Sequence, residues 1–193
     1  MPTVGVLALQ GDVREHVAAL GRLEVTNREV RTPSDLELVD ALIIPGGEST
    51  AIAHLLSTSH LREPLGERLA AGMAVLGTCA GLILLAAEIL DGRRDQWSYG
   101  ALDLSVRRNG YGRQIASFEA TVEVQGIGPV TGVFIRAPRI ERVGDGVSVL
   151  ATHDHGDGER AVLVRQGNVT GCAFHPELAR DDRIHESFVR ALG

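Results

Sequence analysis

The stretch VLGTCAGLIL, residues 75–84, sets a single thiol among small residues directly behind an apolar run. Residues 73–77 are of the type that fill a buried strand, and residues from 80 onward favour a helix, which places a sharp strand-to-helix turn at Cys79. Gly77 and Gly81 bracket the thiol in the order G-x-nucleophile-x-G, where glycine lets the backbone turn tightly without Cβ clashes. The thiol then projects from the start of a helix, where partial positive charge favours a thiolate. No charged residue occurs from 70 to 87, a length that just reaches a membrane span. Its three glycines, its threonine and the change of propensity at the cysteine argue instead for a buried strand, a turn and a buried helix.

Outward from this turn the first half alternates short apolar runs with helical patterns. Strands are expected at residues 3–9 and 40–44, and helices at 12–23, 49–56 and 61–71. Asp12 stands at an N-cap position, before Val13, Val17 and Leu20 at helical spacing. Strands separated by helices imply parallel pairing with helices on both faces. The second half changes character: residues 104–108, 118–125, 130–136, 147–152, 161–165 and 169–174 are strand-like runs divided by turns rich in Gly, Asp and Pro. These form an antiparallel β extension, and a helix at 182–192, with Ile184, Phe188, Val189 and Leu192 on one face, closes the chain. The fold class is therefore α/β, an open, mostly parallel sheet in one domain over residues 1–193.

Composition excludes several partners. With 193 residues and 44% hydrophobic content, the chain can bury one sizeable core. The net charge is −6 and the 19 basic residues are scattered, so no nucleic-acid footprint is present. Two cysteines, Cys79 and Cys172, are too few for a disulfide framework and fit a reducing, cytoplasmic setting. The N-terminal segment lacks the basic region and cleavage site of a signal peptide and reads as a first strand. No membrane partner is expected.

In parallel α/β sheets the active crevice lies beyond the carboxyl ends of the strands, where Cys79 is placed. A thiolate nucleophile needs a base. Of the seven histidines, His16, His54, His60 and His185 lie in helical patterns and read as surface or helix-end residues. His153 and His155 sit in THDHGDGE, residues 152–159, which fits a solvated hairpin loop better than zinc because the spacing of ligands is wrong. His175, in GCAFHPEL at 171–178, follows a strand immediately. Pro176 fixes the turn after it, and Glu177 can orient the imidazole and stabilise its charged form. Cys79, His175 and Glu177 thus suggest nucleophile, base and orienter. The N–H of Ala80 is one oxyanion donor by elbow geometry. Gly47, in PGGES at 45–49, can supply a second, although Pro-Gly-Gly alone is an ordinary loop signal.

Together GTCAG, HPE and PGGES resemble the class I, triad-type glutamine amidotransferases, whose fold is flavodoxin-like. More narrowly, GVLALQGDVREH, LIIPGGEST, GTCAGLILLA, RRNGYGRQ, TGVFIRAP and GCAFHPEL are similar to the glutaminase subunits of ribose 5-phosphate-dependent pyridoxal 5′-phosphate synthase. Residues 91–101, DGRRDQWSYGA, are the least similar part and receive no role. The resemblance implies hydrolysis of L-glutamine to glutamate and ammonia through a glutamyl thioester on Cys79, with oxyanion donors at Gly47 and Ala80. It also implies glutamine contacts at Gly47, Glu48, Ser49, Arg108, Ile135 and Arg136. The resemblance implies no metal and no cofactor. The implied partner is a (β/α)8-barrel synthase that receives the ammonia. Two other readings are a glutaminase of another pathway, such as histidine biosynthesis, against which PGGEST and VFIRAP argue, and a noncatalytic adaptor, which the intact triad disfavours.

Overall fold

Alternation of side chains governs the central strands. In Ala41–Ile44, Ala41 and Ile43 enter one apolar cluster while Leu42 and Ile44 enter another on the opposite face. A strand buried on both faces reads as a continuous apolar run because each face needs its own hydrophobic set. Ile43 and Ile44 are fully buried, and each such side chain stabilises the fold by about 2–3 kcal/mol relative to exposure.

The structure, a computed structural model, describes residues 2–108, 110, 117–156 and 158–193. The first half runs β1 (Val4–Leu7), α1 (Val13–Arg22), β2 (Asn27–Val30), α2 (Pro33–Leu36), β3 (Ala41–Ile44), α3 (Ser49–Thr58), α4 (Arg62–Ala70), β4 (Ala74–Thr78) and α5 (Ala80–Leu85). There follow β5 (Ala86–Ile89), β6 (Leu102–Arg107), β7 (Ser117–Val124), β8 (Gly128–Ile135), β9 (Arg139–Val143), β10 (Ser148–Asp154), β11 (Glu159–Gln166), β12 (Val169–Cys172) and α6 (Arg183–Arg190). A 3-10 turn, Pro176–Leu178, separates the last two.

The main sheet has the order β10-β11-β12-β4-β3-β1-β2. Its five strands from β12 to β2 are parallel, and β11 and β10 extend it antiparallel. The parallel part is the doubly wound order in which strand succession reverses beside β1, and the crevice at the carboxyl ends is where such sheets bind ligands. Val4, Val6, Ile43 and Leu76 face Leu20 of α1 and Phe188 of α6, whereas Leu42, Ile44 and Val75 face the larger cluster containing α3 and α5. Two further sheets are β5-β6-β9 and the β7-β8 hairpin. The expected α/β class and antiparallel extension are thus present, but the extension is divided among three sheets.

Several local expectations change. β2, of sequence NREV, buries only Val30 and so carries no legible alternation. The apolar run after Cys79 was read as helix through residue 87, yet α5 stops at Leu85 because Ala86 is extended, with φ −62° and ψ 152°. The chain then pairs as β5 with β6, an interaction across sequence that helical propensity cannot anticipate. β9, rich in charge, was also unforeseen. The 152–159 segment is a hairpin end, with Asp154 Oδ1 accepting from Gly156 N at 2.7 Å and Gly158 N at 3.0 Å. Positions 109 and 111–114 of RRNGYGRQ lie outside the described residues. Among the described residues no helix is long and apolar enough to cross a membrane.

Candidate active site

The small residues around the thiol have a packing cause. A Cβ on Gly81 would lie 2.2 Å from the carbonyl oxygen of Ile44, and one on Gly77 would lie 2.5 Å from Leu85 Cδ1. α5 therefore approaches β3 and β4 at a distance only glycine permits. Neither glycine has positive φ; the strained conformation falls on Cys79 itself, at φ 47° and ψ −99°. Such strain in a residue bearing a Cβ costs of order 1–3 kcal/mol and is found where it aims a reactive side chain.

Strand adjacency brings the distant histidine to this thiol. β12 lies parallel to β4 with Cys172 opposite Thr78, and the N–H of Cys79 donates to the Cys172 carbonyl at 2.8 Å. Three residues further along, the N–H of His175 donates to the Val133 carbonyl at 2.8 Å, which ties the loop to β8. His175 Nδ1 lies 2.8 Å from Glu177 Oε1 and 3.3 Å from Asp12 Oδ2. Cys79, His175 and Glu177 are 6%, 4% and 4% exposed, so these polar groups meet largely out of water.

The carboxyl ends of β1, β3, β4 and β12 and the far ends of β6 and β8 enclose a cavity of about 340 Å³. It is lined by Asp12, Gly47, Glu48, Ser49, Cys79, Ile83, Arg108, Ile135, Arg136 and His175. Every substrate-contact residue expected from the sequence is among them, and a volume of this order suits a small ligand. Ala80 is buried beside the thiol as the first residue of α5, where its N–H has no intrahelical acceptor. Arg136 holds φ 44°, a second strained residue on the cavity wall.

Burial opposes protonation of His175, but Asp12, Cys79 and Glu177 together override it and push its pKa up to about 12. The site thereby favours imidazolium at neutral pH. Burial moves Glu177 the other way, above the usual carboxylate range, against the lowering influence of His175. Burial would also raise Glu48, yet hydrogen bonds from Thr50 and Ala51 and the charge of Arg108 hold it low. Glu48 caps α3 with both carboxylate oxygens, at 3.1 Å from Thr50 N and 2.7 Å from Ala51 N. Among the described residues, Asp12, His175 and Glu177 are also the trio whose donor atoms lie within 4.8 Å of one another; a cation there would compete with Glu177 for Nδ1 of His175.

Three sequence expectations are corrected. Asp12 occupies the N-cap position of α1 but its side chain makes no cap bond and turns to His175 instead. His16 and His185 are fully buried rather than on the surface. Residues 91–101, left without a role, hold the cavity wall: Arg108 N donates to Asp91 Oδ1 at 2.7 Å, and Arg108 Nη1 donates to Gln96 Oε1 at 2.6 Å. Gln96 Nε2 in turn donates to Ser49 Oγ at 3.1 Å. The segment is anchored by Arg62 stacked 4.2 Å over Trp97 and by an edge-to-face Trp97–Tyr99 pair. No motif marks Gln96; only the fold reveals it.

The profile of the SNO glutamine amidotransferase family matches residues 6–193. The chain is 55% identical over 190 residues to "Pyridoxal 5′-phosphate synthase subunit PdxT" of Salinispora arenicola (strain CNS-205), covering 97% of this chain and 94% of that relative. It is 54% identical over 198 residues to a protein of the same description from Nocardia farcinica (strain IFM 10152), covering 100% and 88%. A crystal structure described as a glutamine amidotransferase superposes with a TM-score of 0.91 at 50% identity over 98% of both chains. PurLQS from Thermotoga maritima shares the fold at 17% identity, with a TM-score of 0.71.

Proposed function

Since the chain belongs to the SNO glutamine amidotransferase family and acts as a glutaminase subunit of pyridoxal 5′-phosphate synthase, we propose that Cys79, His175 and Glu177 hydrolyse L-glutamine in the cavity they share. The observation that carries this assignment is the convergence at one crevice of a strained cysteine from β4 and a histidine–glutamate pair delivered by β12. Cys79 Sγ attacks the side-chain amide carbon of glutamine, and the N–H groups of Gly47 and Ala80 stabilise the tetrahedral oxyanion. His175, held as imidazolium, gives its proton to the departing ammonia, leaving a glutamyl thioester. It then accepts a proton from the water that releases glutamate. Glu177 keeps the ring in register and offsets its charge. Arg108 and Arg136 complement the α-carboxylate, a role suited to a guanidinium fork. The ammonia passes to the synthase partner, for which a (β/α)8 barrel in the cytoplasm is the proposed form.

A diazoketone analogue of glutamine tests the assignment by forming a stable thioether with an attacking thiol. Mass spectrometry is expected to place the label on Cys79, with protection by glutamine. Labelling of Cys172 alone, while ammonia release continues, would exclude Cys79 as nucleophile.

Gln96→Ala tests the substrate wall. A hydrogen bond to a charged group is worth about 1.5–3 kcal/mol, so freeing Arg108 from Gln96 is expected to raise KM for glutamine roughly tenfold or more. The value of kcat should stay within about threefold, because the triad is untouched. A fall in kcat at constant KM would show that Gln96 serves the chemistry rather than binding.

A further inference from the structure

A buried polar chain runs behind the cavity and takes no part in the steps above. His16 on α1 and His185 on α6 are both fully buried. His16 Nδ1 lies 2.9 Å from His185 Nε2, while His16 Nε2 lies 3.2 Å from Thr78 Oγ1 and 3.5 Å from Glu177 Oε2. That second oxygen of Glu177 is buried and, among the described residues, has no hydrogen-bond partner. Leaving a buried carboxylate oxygen unmatched is costly, and Nε2 of His16 faces this one at 3.5 Å.

The hydrogen-bond inventory fixes which tautomer does so. Two facing ring nitrogens require one donor and one acceptor. If His16 donated from Nδ1, its Nε2 lone pair would face the Glu177 carboxylate, which is repulsive. If His185 donates from Nε2, His16 Nδ1 accepts and His16 Nε2–H points at Thr78 and Glu177. The same choice leaves His185 Nδ1, which has no partner, as a lone pair rather than a stranded N–H. Both rings are neutral: burial lowers the His16 pKa far below its usual value, with His185 and His175 adding to the effect. Burial takes His185 to about 4, opposed by Asp182 and reinforced by Arg22.

We propose that His16 is a positioning residue for hydrolysis, in which Nε2–H of His16, set by His185, holds Glu177 Oε2 so that Glu177 Oε1 remains on His175. The proposal rests on the triad reading and extends it from the crevice to the packed face between α1 and α6. His16 also touches Thr78, the residue before the nucleophile, and so links the orienting carboxylate to the elbow.

Asparagine and glutamine at position 16 separate this role from packing. A glutamine amide reaches the place of Nε2, whereas an asparagine amide reaches only that of Nδ1. With the full chain and its synthase partner, His16→Asn is expected to lower kcat about tenfold with KM within about twofold, and His16→Gln to restore most of that rate. Nitrogen-15 NMR of the resting protein is expected to find His16 protonated at Nε2 only. Equal rates for the two variants, or a proton on Nδ1, would overturn the proposal. Cys79→Ala in the same assay keeps the two levels apart: if it still releases ammonia the triad reading falls, whereas an inactive Cys79→Ala beside indistinguishable His16 variants removes only the role of His16.

Discussion

Cys79→Ala is expected to lower kcat/KM for glutamine hydrolysis by at least about 10⁴-fold, because Cys79 is the only thiol lining the cavity among the described residues. The substitution removes one sulfur from a site only 6% exposed and keeps φ 47°, which alanine tolerates no worse than cysteine, so the fold is retained. Glutamate formation in the presence of the synthase measures the loss. A residual rate within about tenfold of wild type would mean that water attacks directly. Cys172→Ala is the matching control. Burial pushes the Cys172 thiol well up, and its Sγ lies 3.3 Å from the Phe174 carbonyl oxygen, an inert packing position from which hydrolysis should be little affected.

Gly46→Ala is expected to reduce kcat by about 10²–10³-fold while the protein stays folded. A Cβ at position 46 would lie 2.3 Å from His175 Cε1, 2.8 Å from His175 Nδ1 and 3.0 Å from Asp12 Oδ2. The ring must therefore retreat from its place, and a shift near 1 Å at a reacting group costs on the order of 10²-fold. Displacement of the adjoining Gly47 N–H, an oxyanion donor in the proposed mechanism, adds to the loss. Wild-type kcat with an intact circular dichroism spectrum would show that the loop after β3 yields without disturbing the base.

These two substitutions mark where the sequence was legible. The elbow was readable because GTCAG joins an apolar strand to an apolar helix, and the base because HPE follows the last strand directly. What the glycines do was misread in part: their spacing resembles a turn signal, while Gly77 and Gly81 in fact admit α5 against β3 and β4. Asp12 was assigned to a cap because an acidic residue before a helix is ordinarily one. The helical spacing of His16 and His185 points to surface or helix-end positions, because it does not disclose two elements 169 positions apart in sequence meeting over Glu177. Gln96 was invisible for the same reason, since a single amide in a charged loop has no pattern. β2, β5 and β9 escaped because pairing partners, not local preference, made them strands.

The insertion of β12 between β4 and β11 has a consequence for synthesis of the protein. Cys79 emerges from the ribosome long before the residues that accompany it in chemistry, and the middle of the sheet stays a gap until the last strand arrives. A half-made chain carries the sulfur but lacks His175 and Glu177, so the proposed triad can assemble only after β12 has been made.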